Sequence, residues 1–215
     1  MRDIHCHILP GVDDGASTLE DSLAMIKAAQ TVGITSITCT PHCRDPYFDF
    51  KAMWNAFYDL EEAAGGFPLT MGFEVNHRKL MELGLEWAEA LHTDGSQDFL
   101  LELSVGASPS SFGDYERTIF ELQGMGYKVI IAHPERYIAI QRDITLAEEL
   151  VHMGCELQAS TDFIAGGRLG AEKRPAKRML KAGLYSYLAS DAHVPKHYRY
   201  FRKAYERYGH LLRKR

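Results

Sequence analysis

The sequence predicts an α/β fold built on a parallel sheet, as a single domain over residues 1–215, closed into a barrel rather than left open. Three observations lead there. Short β-branched runs alternate with amphipathic stretches along the chain, and repeated βα units require a parallel sheet. No glycine-rich phosphate loop follows the first strand, which disfavours an open dinucleotide-binding sheet. Finally, 215 residues with 46% apolar content suffice for one substantial core, and no repeat, low-complexity tract or Pro/Gly-rich linker divides them.

The elements follow in order. Residues 2–5 form the first strand. A helix then starts after the candidate caps Ser17 and Thr18, with Glu20 and Asp21 in its first turn and Leu19, Leu23 and Ile26 on its apolar face, and Gly33 closes it. A strand over 34–39 precedes a helix over 51–64, and a strand over 69–73 precedes a helix over 79–91. The same pair recurs as strand 99–103 with helix 114–124, and as strand 128–132 with helix 145–153. Strand 156–159 leads to helix 171–182, and strand 185–189 to a last helix over 198–212. Gly154 and Gly183 stand where C-terminal caps belong.

Composition excludes several classes. No apolar run reaches the roughly 18 residues of a membrane span, and the start MRDIHCHILPG lacks the basic-then-apolar layout of a signal peptide. A soluble, cytoplasmic protein that is not membrane-embedded is expected, with no nucleic-acid partner. Cys6, Cys39, Cys43 and Cys155 form neither a C-x-x-C pair nor a disulfide framework, and read as reduced thiols. A net charge of -5 conceals an asymmetry, because residues 198–215 hold seven Arg or Lys against Glu206 alone, leaving about -11 on the rest. That end reads as a solvated helix face before it reads as a site for an anionic partner.

Chemistry collects at the predicted strand ends. His5 and His7 come from DIHCH, His42 from TCTPHCR, Glu74 from GFEVN and Glu102 from LLELS, while IIAHPERY supplies His133 and ASDAH supplies Asp191 and His193. In a parallel barrel the C-terminal strand ends converge on one face, so these residues surround one small volume. Eight such side chains make poor core filling, since buried charge is costly unless paired or bound to metal. Imidazole with carboxylate, and no thiolate, suits catalytic Zn²⁺, Mn²⁺ or Fe²⁺. The turn GVDDG adds one of Asp13 and Asp14, with Asp14 favoured. His77, His92, His152, His197 and His210 lie off the strand ends and are not expected to ligate.

Such a cluster suits hydrolysis, and metals about 3.5–4 Å apart are the usual arrangement for phosphate esters. Arg136, three residues after His133, is expected to grip phosphate oxygens, with Arg44 and Arg199 as weaker candidates. Tyr47, Phe48 and Tyr137 are candidates to flank an aromatic substrate, though such residues more often simply pack. A cysteine-nucleophile phosphatase is excluded because no cysteine stands in C-x5-R spacing, and a serine hydrolase because there is no G-x-S-x-G elbow.

The string DIHCHILPGVDDG followed by TPHCR, GFEVN, LLELS, AHPERY and SDAH resembles the PHP (polymerase and histidinol phosphatase) family, and within it the bacterial protein-tyrosine phosphatases of capsule and exopolysaccharide clusters. The resemblance spans nearly the whole chain. It implies a distorted, TIM-like (β/α)7 barrel holding three divalent metals, Mn²⁺ foremost with Fe²⁺, Zn²⁺ or Mg²⁺ as alternatives. It assigns His5, His7, Glu74 and Asp191 to the first metal, Glu74 as a bridge with Glu102 and His133 to the second, and Asp13 or Asp14 with His42 and His193 to the third. It makes Arg136 the phosphate-binding arginine, and implies attack by metal-activated water without a phosphoenzyme, with Asp191 or His193 passing a proton to the leaving phenolate. The implied partner is a phosphotyrosine protein, a tyrosine autokinase of polysaccharide export. Two departures stand out: Tyr198 occupies the position of a family arginine with Arg199 one residue later, and the segment between His42 and Glu74 is short. Alternatives are a small-molecule phosphatase of the same family, acting on histidinol phosphate or a nucleotide phosphate, and a non-catalytic metal-stabilised barrel that binds phosphoproteins.

Overall fold

The computed structural model describes residues 1–213; Lys214 and Arg215, which end the basic C-terminal stretch, lie outside the described residues. The described residues form nine short strands: β1 (Arg2–Cys6), β2 (Ser36–Cys39), β3 (His42–Cys43), β4 (Leu69–Met71), β5 (Glu74–Asn76), β6 (Asp98–Glu102), β7 (Lys128–Ala132), β8 (Glu156–Ser160) and β9 (Tyr187–Ala189). Every pairing between them is parallel. They form a three-stranded sheet, β1-β2-β4, and a six-stranded sheet, β3-β5-β6-β7-β8-β9. The sheet curls until its ends meet: Cys6 bridges Ala192, His7 N donates to Ala192 O at 2.9 Å, and Asp191 N donates to His5 O at 2.9 Å.

The curled parallel sheet agrees with the expected frame, but its strands are not seven continuous ones. The expected second strand stops at Cys39 and pairing resumes at His42, because Pro41 between them has no N–H to give a ladder. The expected third strand breaks at Gly72, whose backbone packs so closely that an added Cβ would stand 3.1 Å from both Thr38 Cγ2 and Thr93 Oγ1. Each break lies just before a residue of the cluster, His42 and Glu74.

The helices are α1 (Leu19–Thr31), α2 (Phe50–Ala63), α3 (His77–Leu83), α4 (Ala88–Leu91), α5 (Phe112–Gly124), α6 (Ile138–Arg142), α7 (Thr145–His152), α8 (Lys173–Lys181) and α9 (Tyr198–Tyr208). Thr18, not Ser17, caps α1: its hydroxyl accepts from Asp21 N and the Asp21 carboxylate accepts from Thr18 N, both at 3.2 Å. Gly154 and Gly183 take φ of 91° and 66° just past α7 and α8, as helix-ending glycines do. The helix expected over 79–91 is two helices, because Gly84 at φ 99° ends α3 before a short 3-10 turn leads into α4. The short α6 is not evident from the sequence pattern. No helix among the described residues is long and apolar enough to cross a membrane.

Side-chain alternation along the strands divides the interior. Leu101, Val129, Ile131 and Leu157 join the main core with the helices, whereas Leu100, Ile130, Ala132 and Ala189 form a small cluster with Ile4. Glu102 and Gln158 keep the parity of that smaller cluster, so its face of the curled sheet carries polar groups toward the C-terminal strand ends.

Candidate metal centre

His5 lies in β1 and His7 just beyond it, His42 and Glu74 open β3 and β5 and pair in register, Glu102 ends β6, His133 follows β7, and Asp191 and His193 follow β9. All eight are buried. His133 at φ 30° and Asp191 at φ 47° are the only non-glycine positive-φ residues among those described. A left-handed backbone costs an L-residue about 1–2 kcal/mol, and here it turns two side chains off their strand ends into the cluster.

The side chains converge. His5 Nε2 lies 3.5 Å from both Glu74 Oε2 and Asp191 Oδ1, and His7 Nε2 lies 3.4 and 3.3 Å from the same oxygens. Glu74 also meets His42 Nδ1 through Oε2 and His133 Nε2 through Oε1, each at 2.6 Å. Asp14 Oδ1 stands 3.2 Å from Nε2 of both His42 and His193. Four overlapping groups bring their ligand atoms within 4.8 Å of one another: His7, Asp14, His42 and His193; His5, His7 and Glu74; His5, His133 and Asp191; His42, Glu74 and Glu102. Asp14 therefore joins the cluster, whereas Asp13 turns behind it.

The hydrogen bonds behind the cluster fix which ring nitrogen faces inward. His5 Nδ1 donates to Gln158 Oε1 at 2.8 Å, His7 Nδ1 to Asp13 Oδ2 at 2.8 Å, and His193 Nδ1 to the Asp191 carbonyl at 2.9 Å. A neutral imidazole with its hydrogen on Nδ1 presents a lone pair at Nε2. The Nε2 atoms of His5 and His7 then face each other at 3.2 Å, an arrangement that a shared cation satisfies. Glu74 Oε2 and His42 Nδ1, although 2.6 Å apart, and His193 Nε2, although 3.2 Å from Asp14 Oδ1, are buried and make no hydrogen bond of normal geometry among the described residues. Donor type, inward lone pairs and unpartnered buried atoms all fit divalent metal ions.

Electrostatics agree with that fit. Burial disfavours charge on Glu74 and Asp191, but His5 and His42 around the first, and Arg136 and His5 around the second, hold both carboxyls well below the usual range. Burial likewise opposes a proton on His7, yet Asp13, Asp191 and Glu74 outweigh it and hold its pKa well above the ordinary value, so the cage demands positive charge there. Burial pushes His133 and His193 down to about 4, aided by Arg136 and by His7 respectively, which leaves both rings neutral and able to ligate. Glu102 is pushed up by burial and by its neighbour Glu74.

The three expected arginines differ in placement. Arg136 is buried, and its Nη2 donates to Asp191 Oδ2, to Ser160 Oγ at 3.2 Å and to Asp162 Oδ2 at 3.4 Å. Arg44 donates to His42 Nε2 at 2.9 Å. Arg199 is exposed and donates to Tyr200 Oη at 2.8 Å. Tyr198 is buried in the core, its hydroxyl 3.0 Å from Cys6 Sγ. Of the aromatic candidates, Tyr47 stacks on His42 with centroids 5.8 Å apart, Phe48 packs on Phe73 and Trp87, and Tyr137 is buried with its hydroxyl joining Ala132 O to Leu103 N. His77, His92, His152, His197 and His210 belong to none of the four groups. A cavity of about 240 Å³ lined by Arg44, Asp45, Asn76, Arg78, Lys79 and Glu82 opens beside the cluster, where Asn76 Nδ2 donates to Glu102 Oε2 at 3.0 Å.

Sequence reasoning missed Gln158, Ser160, Asp162 and Glu172, which hold His5 and Arg136 in place. A signal for two of them exists. On the wholly buried β8, Glu156, Gln158 and Ser160 repeat with period two, which marks a polar interior face.

A parallel α/β sheet curled around a buried imidazole–carboxylate cluster at its C-terminal strand ends is the architecture of a metal-dependent hydrolase. Comparison with known proteins makes this particular. The chain belongs to the CpsB/CapC family of capsular polysaccharide synthesis, whose sequence model matches residues 1–204. It is 33% identical over 199 residues to the tyrosine-protein phosphatase YwqE of Bacillus subtilis, covering 90% of this chain and 77% of that protein. It is 31% identical over 200 residues to a putative tyrosine-protein phosphatase CapC of Staphylococcus aureus, with the same coverage of 90% and 77%. A solved structure from work on YwqE of Bacillus subtilis and CpsB of Streptococcus pneumoniae, described as metal-dependent tyrosine phosphatases, superposes with a TM-score of 0.79 at 30% identity, over 98% of this chain and 89% of that one.

Proposed function

We propose that this chain is a metal-dependent protein-tyrosine phosphatase acting on a phosphotyrosine protein, a tyrosine autokinase of capsule or exopolysaccharide synthesis, in the cytoplasm. One observation carries the reading: Glu74 directs Oε2 at His5, His7 and His42 and Oε1 at His133, so one buried carboxylate faces two sets of imidazoles and would help to hold more than one cation. Three divalent ions, Mn²⁺ foremost, are assigned to His5, His7, Glu74 and Asp191; to Glu74, Glu102 and His133; and to Asp14, His42 and His193. With the two broken strands counted as single chain paths, the frame is a distorted (β/α)7 barrel.

When bound, such ions supply Lewis acidity and lower the pKa of a coordinated water. The protein's own groups do the rest. Glu74 and Asp191, held ionised, fix the negative charge that concentrates cations at the centre, and Gln158, Asp13 and the Asp191 carbonyl hold the three rings with Nε2 inward. Arg136 holds Asp191 and adds positive charge behind the phosphoryl position, and Arg44, beside Tyr47, borders the opening where a phosphotyrosine ring enters. With Nε2 turned to the metal position and Nδ1 donating to the Asp191 carbonyl, His193 serves as a ligand rather than as the proton carrier that the resemblance offers, and the leaving phenolate, with a pKa of about 10, needs little such help. No cysteine competes as nucleophile: all four are buried, and burial raises every thiol pKa.

The test is phosphate release from a phosphotyrosine peptide with Mn²⁺, with chelator, and by His5→Ala and Arg136→Ala. Turnover that is abolished by chelator and restored by Mn²⁺ is expected. Turnover that survives chelation refutes the metal-dependent reading, faster turnover of histidinol phosphate favours a small-molecule phosphatase, and peptide binding without release identifies a non-catalytic phosphoprotein binder.

A further inference from the structure

The loop between β8 and α8 delivers one more arginine to the centre. Gly166, Gly167 and Gly170 take φ of 122°, 81° and 79°, conformations that side chains resist. At 167 a Cβ would also stand 1.6 Å from Glu172 Oε2. Glu172 has no exposed surface. Its Oε1 accepts from Leu169 N at 2.7 Å, and its Oε2 faces Arg136 Nε at 3.7 Å. The loop is thus drawn onto a buried carboxylate that also faces Arg136, and Arg168 is the side chain that the turn presents.

Arg168 Nη1 lies 3.9 Å from Asp14 Oδ2, on the outer side of the carboxylate whose other oxygen faces His42 and His193. Its side chain is 34% exposed, and its guanidinium makes no hydrogen bond to a described residue. Arg136 is engaged by Asp191, Ser160 and Asp162, and Arg199 by Tyr200 outside the cluster, while Arg44 approaches from the side of His42. A half-desolvated guanidinium with uncommitted donors, held over the edge of a metal centre, suits bidentate contact with a phosphoryl group better than one Asp contact at the limit of ion pairing.

We propose that Arg168 binds the phosphoryl oxygens of the substrate at the mouth of the centre, with Glu172 as the residue that positions it. The proposal rests on the phosphomonoester reading above. The experiment is calorimetric titration of the metal-loaded protein with inorganic phosphate, alongside metal content and turnover of a phosphotyrosine peptide, for the parent, Arg168→Ala, Arg168→Lys and the exposed control Arg178→Ala. Loss of one charged hydrogen-bonding partner weakens phosphate binding by about 10–100-fold in Arg168→Ala. Arg168→Lys recovers part of the loss, metal content is unchanged, and Arg178→Ala matches the parent. Phosphate affinity of Arg168→Ala within about twofold of the parent overturns the proposal. So does loss of metal from that variant, which would show a structural role through Asp14, or failure of the parent to bind phosphate. If the parent binds phosphate through Arg168 yet leaves phosphotyrosine peptide intact, the substrate assignment falls and the anion site stands.

Discussion

Replacing Gln158 with Leu removes the acceptor that holds His5 with its hydrogen on Nδ1, at little change in volume. The bond is 2.8 Å long and wholly buried. In the metal-loaded protein, His5 must keep Nε2 free for the ion, so without Gln158 its Nδ1–H stays buried and unpaired, at about 1–3 kcal/mol. In the metal-free protein the hydrogen can move to Nε2 and face the carboxylate oxygens Glu74 Oε2 and Asp191 Oδ1, each 3.5 Å away. The cost therefore falls on the loaded form, and Gln158→Leu lowers metal affinity by roughly 10–100-fold, the range for removing a residue that orients a histidine ligand. Competition against a chromophoric chelator measures the affinity, and thermal melts in excess chelator check that the metal-free fold is little changed. Metal affinity within about twofold of the parent would refute the tautomer argument.

Gly167→Ala forces a side chain into a φ 81° turn against Glu172, so it should destabilise the protein by at least about 1–2 kcal/mol in urea and raise the peptide KM by displacing Arg168; unchanged values of both would show that the loop has room. The four thiols, all buried and with raised pKa, should stay unreactive to Ellman's reagent at pH 8 in the native protein and all react in denaturant, and fast native labelling would contradict the packing. Burial pushes Glu135 from 4.5 up to about 8, although it accepts from Ser160 N at 2.7 Å and Tyr185 Oη at 2.8 Å. Between those values the folded chain binds the proton that the unfolded chain has lost, so this group's stabilising effect is greatest at low pH and declines as pH rises through that window. Urea denaturation of the chelated protein at pH 5 to 8 should show a shallower fall for Glu135→Gln than for the parent, and parallel curves would refute the raised value.

The parallel sheet was legible because its cause is local: each β-branched run is bounded by a helix with its own start and stop signals, such as the Thr18 capping box and the turns at Gly154 and Gly183. The strand breaks were not, since they depend on tertiary crowding. Gly72 reads as an ordinary strand glycine until Thr38 and Thr93 are known to press on it. Pro41 was a visible warning beside His42. Gly84 was another, within an apolar pattern that on its own supports one continuous helix.

The metal ligands were legible for a related reason: parallel strands place their C-terminal ends on one side, so position in the strand rhythm substitutes for distance in space. Their supporting residues obey no such rule. Gln158 acts from mid-strand, and only the period-two run Glu156, Gln158, Ser160 on a wholly buried strand hints that a polar interior stands behind the ligands. Asp13 and Asp14 are neighbours in one turn, yet their roles separate because one carboxylate reaches His7 Nδ1 from behind while the other faces His42 and His193. Arg168 lies farther from legibility still. Nothing in AGGRLG names an anion, and its placement follows from three left-handed glycines and a buried glutamate whose partners become known only in the folded chain. Strand-borne groups thus set what the centre can hold, while loop-borne groups set what it admits, and sequence periodicity reports on the first alone.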